Sequence, residues 1–336
     1  MQFTQRLLAF LALVLFALVS FAQEETPVEI TITGKQPGPP MWRVINGNNT
    51  LYIFAWLSPI PKNMEWESFR VAQVISEAQE YITMPRADVS VSPAVMLNPI
   101  NIVRGMGLSK KLTRNEDKQK LEEVIPPELY VRFLALKEKY FPGNKKIEKL
   151  RPIVAGGRMT DIIQKEAGLV SASDVRKKIR RLIKKNKDIS ITEIRYETRI
   201  EGKYRDIADR LKNLVGNLSR ELELSCFEQR LSQMEEDLDE MTYRANTWAQ
   251  GYIEEFKYIP LPGDEGDDCT NLAMSSSEKD LIHKIQSTLD TQWLTAAEMA
   301  LSENRTTFAV LDFSELLLED GLVATLAAKG YEVIEP

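Results

Sequence analysis

The chain has 336 residues, of which 43% are hydrophobic and 27% are charged, and its formal net charge is -6. This composition is that of an ordinary globular protein and excludes a disordered or fibrous chain. The acidic balance disfavours nucleic-acid binding, because a polyanion binds basic surfaces.

The first segment has the pattern of a secretory signal peptide. Arg6 precedes an unbroken apolar run, and Ser20 and Ala22 supply the small side chains of a cleavage site. An uncleaved membrane anchor is the alternative, but the run from Leu7 to Leu18 is short for a membrane-spanning helix. We therefore expect cleavage after Ala22 and a mature chain that is exported, periplasmic or secreted, without a stable membrane anchor.

The next segments predict a hairpin, a helix and a strand. Residues 23–40 form a linker-like start that ends in proline and glycine. Residues 41–57 hold two apolar runs around an Asn-Gly dipeptide, which favours a tight turn, and therefore predict a β-hairpin. Residues 66–82 carry apolar side chains at helical spacing and lead into a short strand near Tyr81–Met84.

The middle of the chain is mostly helical. The prolines between residues 85 and 99 predict a long turn region, and helical spacing dominates from residues 126–141 onward. The run 176–187 places eight basic residues in twelve positions, which we interpret as a solvated helix face, with an anionic partner as the alternative. No aromatic residue interrupts this run, so base stacking is not indicated. Residues 188–197 alternate as a strand does.

The last third combines helices with a closing strand–helix–strand unit. Residues 205–304 are mostly helical and are divided by an acidic loop at 260–268. Residues 307–336 predict a strand, a helix with Gly330 at its C-cap, and a second strand. These elements predict one mixed α/β (α+β) domain, residues 41–336, in which the hairpin and the closing unit share a sheet around a helical insertion.

The helical segment 205–257 admits two interpretations. Its large apolar and aromatic residues could form a docking surface for a partner protein, or they could be core residues at helical spacing, and we favour the core. The residues concerned are Met234, Met241, Tyr243, Trp248 and Tyr252.

Two cysteines, Cys226 and Cys269, are the only ones in the chain. In an oxidising compartment an isolated pair forms a disulfide. The chain-entropy model assigns such a bridge about 4 kcal/mol of stabilisation. We expect a structural bridge here and no metal site.

The sequence carries no recognisable catalytic motif. Its one histidine, His283, lies in an amphipathic helical segment, where a packed or surface role is the common one. GxSxG, HExxH, P-loop and GxGxxG patterns are absent. The residues alone therefore indicate no enzyme class, metal or cofactor.

Short motifs stand at both ends of the chain in a characteristic order. The first are Trp42-Arg43-Val44 and Tyr52-Ile53-Phe54, and the last are Phe308–Leu311, Asp320-Gly321-Leu322 and Lys329-Gly330-Tyr331-Glu332-Val333. In this order they resemble the TraB/GumN family of exported or membrane-linked hydrolases, over roughly residues 41–336. The resemblance is strongest at the two ends and weak in the middle.

The resemblance also marks the positions at which the family keeps its site residues. In the family, the strand after the hairpin turn ends in Gly-Thr-Ile-His, whereas this chain reads Ala-Trp-Leu-Ser there and has Ser58 at the histidine position. Met84 stands where the family has a glutamate. The closing histidine corresponds to Ser314 or Glu315, depending on a one-residue gap. Glu197 corresponds to a central glutamate of the family.

The resemblance implies that active members hold a divalent ion with two histidines and carboxylates, which activates water and polarises the substrate. A serine hydroxyl is a poor ligand for a transition metal, and methionine cannot replace a carboxylate around a hard ion. We therefore expect an exported, catalytically degenerate member without a cofactor, which binds or scaffolds an unknown protein or peptide partner. The alternative is a peptidase-like hydrolase with a rearranged site, in which Ser58, Glu197, Glu315 and Asp312 act around Ca²⁺ or Mg²⁺.

Overall fold

The computed structural model describes residues 38–216, 218–236, 238–258 and 276–336. Its strands are β1 (Met41–Asn46), β2 (Asn49–Trp56), β3 (Ile60–Pro61), β4 (Glu80–Ile82), β5 (Arg86–Val91), β6 (Leu169–Val170), β7 (Ser190–Thr192), β8 (Arg195–Ile200), β9 (Thr306–Asp312) and β10 (Glu332–Ile334). Six of them form one sheet in the order β10–β1–β2–β9–β4–β7. β1 is antiparallel to β2 and β10, whereas β2, β9, β4 and β7 are parallel. The predicted mixed α/β class is confirmed.

Helices make up most of the remaining chain. They are α1 (Phe69–Glu77), α2 (Pro93–Met96), α3 (Pro99–Thr113), α4 (Leu121–Val124), α5 (Pro127–Tyr140), α6 (Pro152–Glu166), α7 (Ser173–Lys185), α8 (Tyr204–Gly216), α9 (Arg220–Glu236), α10 (Leu238–Gln250), α11 (Ser276–Glu303), α12 (Phe313–Leu317) and α13 (Leu322–Ala328). Short 3₁₀ turns lie at Glu116–Lys118, Ile147–Lys149 and Ile253–Tyr258. In the described residues no helix is long and apolar enough to span a membrane.

The β1–β2 hairpin forms as the Asn-Gly dipeptide predicts. Gly47 in the turn adopts φ +59°, a conformation that glycine reaches without a Cβ clash. All five residues from Ile53 to Leu57 are buried. α11 packs against β2 and β4, α1 packs against β9, and α7 packs against α1. A strand covered on both faces carries a continuous apolar run, which is why this segment does not alternate.

The predicted helical insertion has a core of its own. Helices α4, α5, α6 and α9 bury a cluster that includes Phe133, Met159, Phe227 and Leu231. Gly156 of α6 lets α9 approach closely, because a Cβ there would lie 3.4 Å from the Phe227 ring. The apolar stripes of these helices therefore pack against one another and form a second core.

The turn region predicted between residues 85 and 99 is wrong. The structure has a strand there, β5, followed by helices α2 and α3, which start at Pro93 and Pro99. Proline is favoured in the first helical turn, since its missing N–H has no partner there and its φ is already helical. The Asn98 side chain accepts from the N–H of Ile100 at 2.9 Å and caps α3.

The strand predicted at 188–197 is divided in two. β7 lies at the edge of the large sheet, and β8 pairs in parallel with β5 as a separate two-stranded ribbon. Helices α3 and α8 follow from this ribbon and pack against each other. We call residues 86–113 and 195–216 the arm.

Burial decides between the two interpretations of segment 205–257. Met234, Met241 and Trp248 are buried, and the indole N–H of Trp248 donates to the carbonyl of Ala55 at 2.9 Å. Tyr243 is half exposed. The core interpretation is confirmed for the three buried residues, and Trp248 is not the centre of an exposed patch.

Several predictions fall on residues that the structure does not describe. These are the signal peptide 1–22, the linker up to residue 37, the acidic loop 260–268 and Cys269. Cys226 is buried in α9. The Cys226–Cys269 disulfide and the domain boundary at residue 41 therefore stay predictions.

Candidate functional site

The carboxyl ends of three parallel strands meet at one edge of the large sheet. Trp56 at the end of β2 pairs with Asp312 at the end of β9, and Ile82 at the end of β4 pairs with Ala309. In open α/β sheets such an edge opens onto the crevice that holds ligands. The residues that follow these three strands are therefore the candidate site.

Two of the predicted positions lie directly beyond β2 and β4. Ser58 stands two residues past Trp56, is half-buried, and precedes Pro59 through a cis peptide bond. Met84 stands two residues past Ile82 and packs against the main core. The end of β4 thus carries an apolar side chain where the family resemblance implies a carboxylate.

Helix-capping side chains lie in the segment where the resemblance implies a closing histidine. Asp312 accepts hydrogen bonds from the Ser314 N–H at 3.1 Å and the Ser314 hydroxyl at 2.7 Å, and so caps α12. The Glu315 carboxylate accepts from the N–H of Leu322 at 2.8 Å, at the first turn of α13. Each of these side chains therefore serves a helix N-terminus, where unpaired N–H groups need acceptors.

Burial raises the pKa of Glu315 above its ordinary value of 4.5, and the N–H of Leu322 opposes the rise. The nearby carboxylates of Asp290, Asp312 and Asp320 add to it. The carboxyl is thus a half-buried acid in an acidic neighbourhood, an environment that general acids in active sites often have.

Glu197 does not follow any of these three strand ends. It is on β8, in the ribbon, where Asp88 of β5 is its pairing partner. Its side chain is 65% exposed and forms an ion pair with Arg195. An exposed carboxylate is screened by water and gains little from a nearby cation.

These donors do not fit the metal site that the family resemblance implies. Ser58 and Ser314, at two positions where the resemblance implies histidines, carry hydroxyl groups, Glu315 caps a helix, and the Met84 side chain has no oxygen. Among the described residues no three histidine, cysteine, aspartate or glutamate side chains form a group that could hold a metal ion. We therefore derive no reaction step through a metal.

A groove that sequence reasoning missed opens just past Ser58. It has a volume of about 540 Å³ and lies between β3, β6 and α7, with Trp66, Lys178 and Arg181 in its wall. The Lys178 ammonium lies 4.5 Å from the centre of the Trp66 ring, a cation–π contact. A second cleft of about 600 Å³ flanks the same segment, residues 61–67, on the side of α10.

The basic run forms α7 and buries one face, as its spacing predicts. Val175, Ile179 and Ile183 are buried, and the basic residues lie on the remaining surface. Arg176 lies 5.2 Å from the ring centre of Trp56, so one cation of the run faces the end of β2. The cluster of cations and indoles next to a strand end was not visible in the sequence, since its members lie more than a hundred residues apart.

A family model described as the TraB/PrgY/gumN family matches residues 40–335. The chain belongs to this family. The match covers nearly the whole chain, so the motifs at both ends and the weakly similar middle belong to one family unit. No curated protein and no solved structure matches the chain.

Proposed function

We propose that this protein is an exported TraB/PrgY/gumN family member that binds a protein or peptide partner in the groove beyond Ser58. We also propose that it does not act as a metal hydrolase. The observation that carries the proposal is the capping of α12 and α13 by Asp312 and Glu315. A carboxylate that completes a helix N-terminus is a structural group, and its removal costs helix stability.

The groove beside α7 supports a partner of defined chemistry. Trp66 offers a flat apolar face, and Lys178 and Arg181 offer cations at the same wall. Asp174 in the same wall pairs with Lys177 at 3.0 Å, and among the described residues neither Lys178 nor Arg181 forms an ion pair, so both cations can meet an acidic ligand. An extended peptide with an acidic side chain fits this wall, because aromatic and arginine side chains dominate peptide recognition.

Metal titration tests the catalytic half of the proposal. The protein is purified from an exporting host without chelators, its metal content is measured, and it is titrated calorimetrically with Mn²⁺, Zn²⁺ and Ca²⁺. We expect no stoichiometric binding to the wild type. One-to-one binding that disappears in Glu197→Ala or Glu315→Gln would contradict the proposal and show a rebuilt site.

Peptide binding tests the other half. A library of acidic, neutral and basic peptides is screened against the wild type, Trp66→Ala and Lys178→Glu, with Val131→Ser as a control at an exposed apolar residue of α5. Acidic peptides should bind the wild type and the control at least tenfold more tightly than either groove variant. Equal binding by all four proteins would refute the assignment of the groove.

The rival function is a hydrolase that uses the half-buried acid Glu315. Its raised pKa is the one observation that favours this function, because a general acid must stay protonated near its working pH. A peptidase assay on the wild type and Glu315→Gln separates the two functions. Hydrolysis that Glu315→Gln abolishes would replace the binding proposal with the rival.

A further inference from the structure

The arm carries an apolar surface that the fold does not use. Neither α2 nor α3 has a buried residue. Six large apolar side chains in this region are 49–76% exposed, namely Met96, Leu97, Ile100, Ile102, Val103 and Met106. Exposed apolar residues are common singly, but a contiguous group of this kind marks an interaction surface.

α3 directs its more apolar face outward, the opposite of a normal surface helix. Ile100, Val103 and Met106 recur at three-residue spacing and so lie on one face, which is turned outward. The half-buried residues Leu108 and Leu112 lie on the other face, and α3 packs against α8. Surface helices normally direct their apolar stripe toward the core. Here the more apolar stripe points away from the protein.

The charged residues of α2 and α3 have a single sign. Residues 89–115 contain no aspartate or glutamate, although the chain has 49 of them, and they contain four basic residues: Arg104, Lys110, Lys111 and Arg114. Within the described part of the chain, none of these four forms an ion pair. On the neighbouring helix α8, Asp209 pairs with Lys212 at 2.8 Å and Asp206 accepts from the N–H of Lys203 at 3.1 Å. The outward surface is therefore both apolar and cationic.

We propose that α2 and α3 form a membrane-contacting surface that lies on an anionic phospholipid bilayer. Interfacial helices place an apolar face about 5–10 Å into the boundary between headgroups and acyl chains, and lysine and arginine at their borders meet anionic headgroups. Ile100, Val103 and Met106 supply the apolar face, and the four basic residues supply the headgroup contacts. The membrane contact is peripheral and reversible, which agrees with the expected lack of a stable anchor. It does not depend on the proposed binding of a partner in the groove.

A second copy of the chain suits this surface less well. A symmetric dimer apposes the same patch from both copies, so the cations Arg104, Lys110 and Lys111 of one copy would meet a patch with the same positive charge. Like charges brought together across an interface oppose association. An anionic bilayer pairs the apolar face and the cations at the same time.

Vesicle binding tests the proposal. The protein as recovered from an exporting host is mixed with 100 nm vesicles of phosphatidylcholine alone or of phosphatidylcholine with about 30% phosphatidylglycerol, and bound protein is measured by flotation. The variants are Ile100→Ser/Val103→Ser/Met106→Ser and Lys110→Glu/Lys111→Glu, with Val131→Ser as the matched control. All three altered apolar positions of the first variant are at least 61% exposed, so the fold is expected to persist, and circular dichroism checks this.

We expect binding to the phosphatidylglycerol vesicles that weakens with salt, falls at least tenfold in both arm variants and is unchanged in Val131→Ser. Wild-type protein that does not float with these vesicles would overturn the proposal. So would binding that neither arm variant weakens. Light scattering tests for self-association of the protein. If the protein self-associates independently of salt, loses this association in the triple variant and does not bind vesicles, the surface contacts a second copy of the chain instead.

Discussion

The end of β2 and the arm are both rich in apolar residues, and the fold treats them in opposite ways. Ile53 to Leu57 are all buried between layers of the main core, whereas α2 and α3 have no buried residue. The difference shows that apolar content alone does not mark a core. Substitutions at the end of β2 should therefore change stability, and substitutions on the outer face of the arm should change binding.

The largest effect is expected at Trp248, which connects α10 to β2. Its ring packs edge-on against Phe54 with centroids 6.0 Å apart, and its N–H bonds the carbonyl of Ala55. Trp248→Ala should lower the free energy of unfolding by about 3–5 kcal/mol, since it leaves a cavity and an unpaired carbonyl. Val103→Ser on the arm should change it by less than about 0.5 kcal/mol. Urea denaturation followed by circular dichroism measures both.

An equal loss of unfolding free energy in Trp248→Ala and Val103→Ser would contradict the expected difference between the two regions. Such a result would mean that the arm packs against another part of the chain in solution.

Alanine substitutions at two glycines, one beside the candidate site and one in the arm, should change stability by an intermediate amount. A Cβ at Gly321, beside the candidate site, would lie 2.6 Å from the carbonyl oxygen of Glu315, whereas a Cβ at Gly107 in α3 meets nothing within 4 Å. Gly321→Ala should destabilise the protein by about 1–3 kcal/mol through overpacking. Gly107→Ala should stabilise it by up to about 1 kcal/mol, because alanine favours a helix more than glycine does. Thermal unfolding of the two variants should shift in opposite directions. A higher midpoint for Gly321→Ala would contradict the close contact at Gly321, and a lower midpoint for Gly107→Ala would contradict the open surroundings of Gly107.

The smallest effect is expected from the pH dependence of Glu315. Its pKa in the folded protein is raised above the ordinary 4.5, mainly by burial, so the protonated form favours the folded state. The stability that it contributes is present below pH 4.5 and is lost as the pH rises through the raised pKa. Glu315→Gln should flatten this part of the stability profile, and Glu315→Ala should cost about 1 kcal/mol more than the glutamine variant by losing the acceptor for Leu322.

Denaturant titrations at a series of pH values measure this profile. Glu197→Gln is the control, because that carboxylate is 65% exposed. A profile that Glu315→Gln leaves unchanged would show that the carboxyl does not titrate differently in the folded and unfolded chain.

Local patterns predicted much of the fold because each depends on neighbouring residues. The Asn-Gly turn predicted the hairpin, and the spacing of Ile179, Leu182 and Ile183 predicted the inner face of α7, where Ile179 and Ile183 are buried and Leu182 is half-buried. The prolines between residues 85 and 99 led to a wrong prediction, because proline can end one element or begin the next. In this segment Pro93 and Pro99 begin helices, and α3 packs against α8. Of the candidate site, the motif order predicted that Ser58 and Ser314 follow strand ends, and parallel pairing brings those ends to one edge.

The sequence by itself determined the family and the mixed α/β class, since these are properties of residue order and identity. Only the tertiary structure decided that Glu315 caps a helix, that Trp66 meets Lys178, and that α3 presents its apolar face outward. Each of these depends on contacts between distant segments or on which side of a helix its neighbours cover. Local spacing is the same for a stripe that is buried and for one that is exposed.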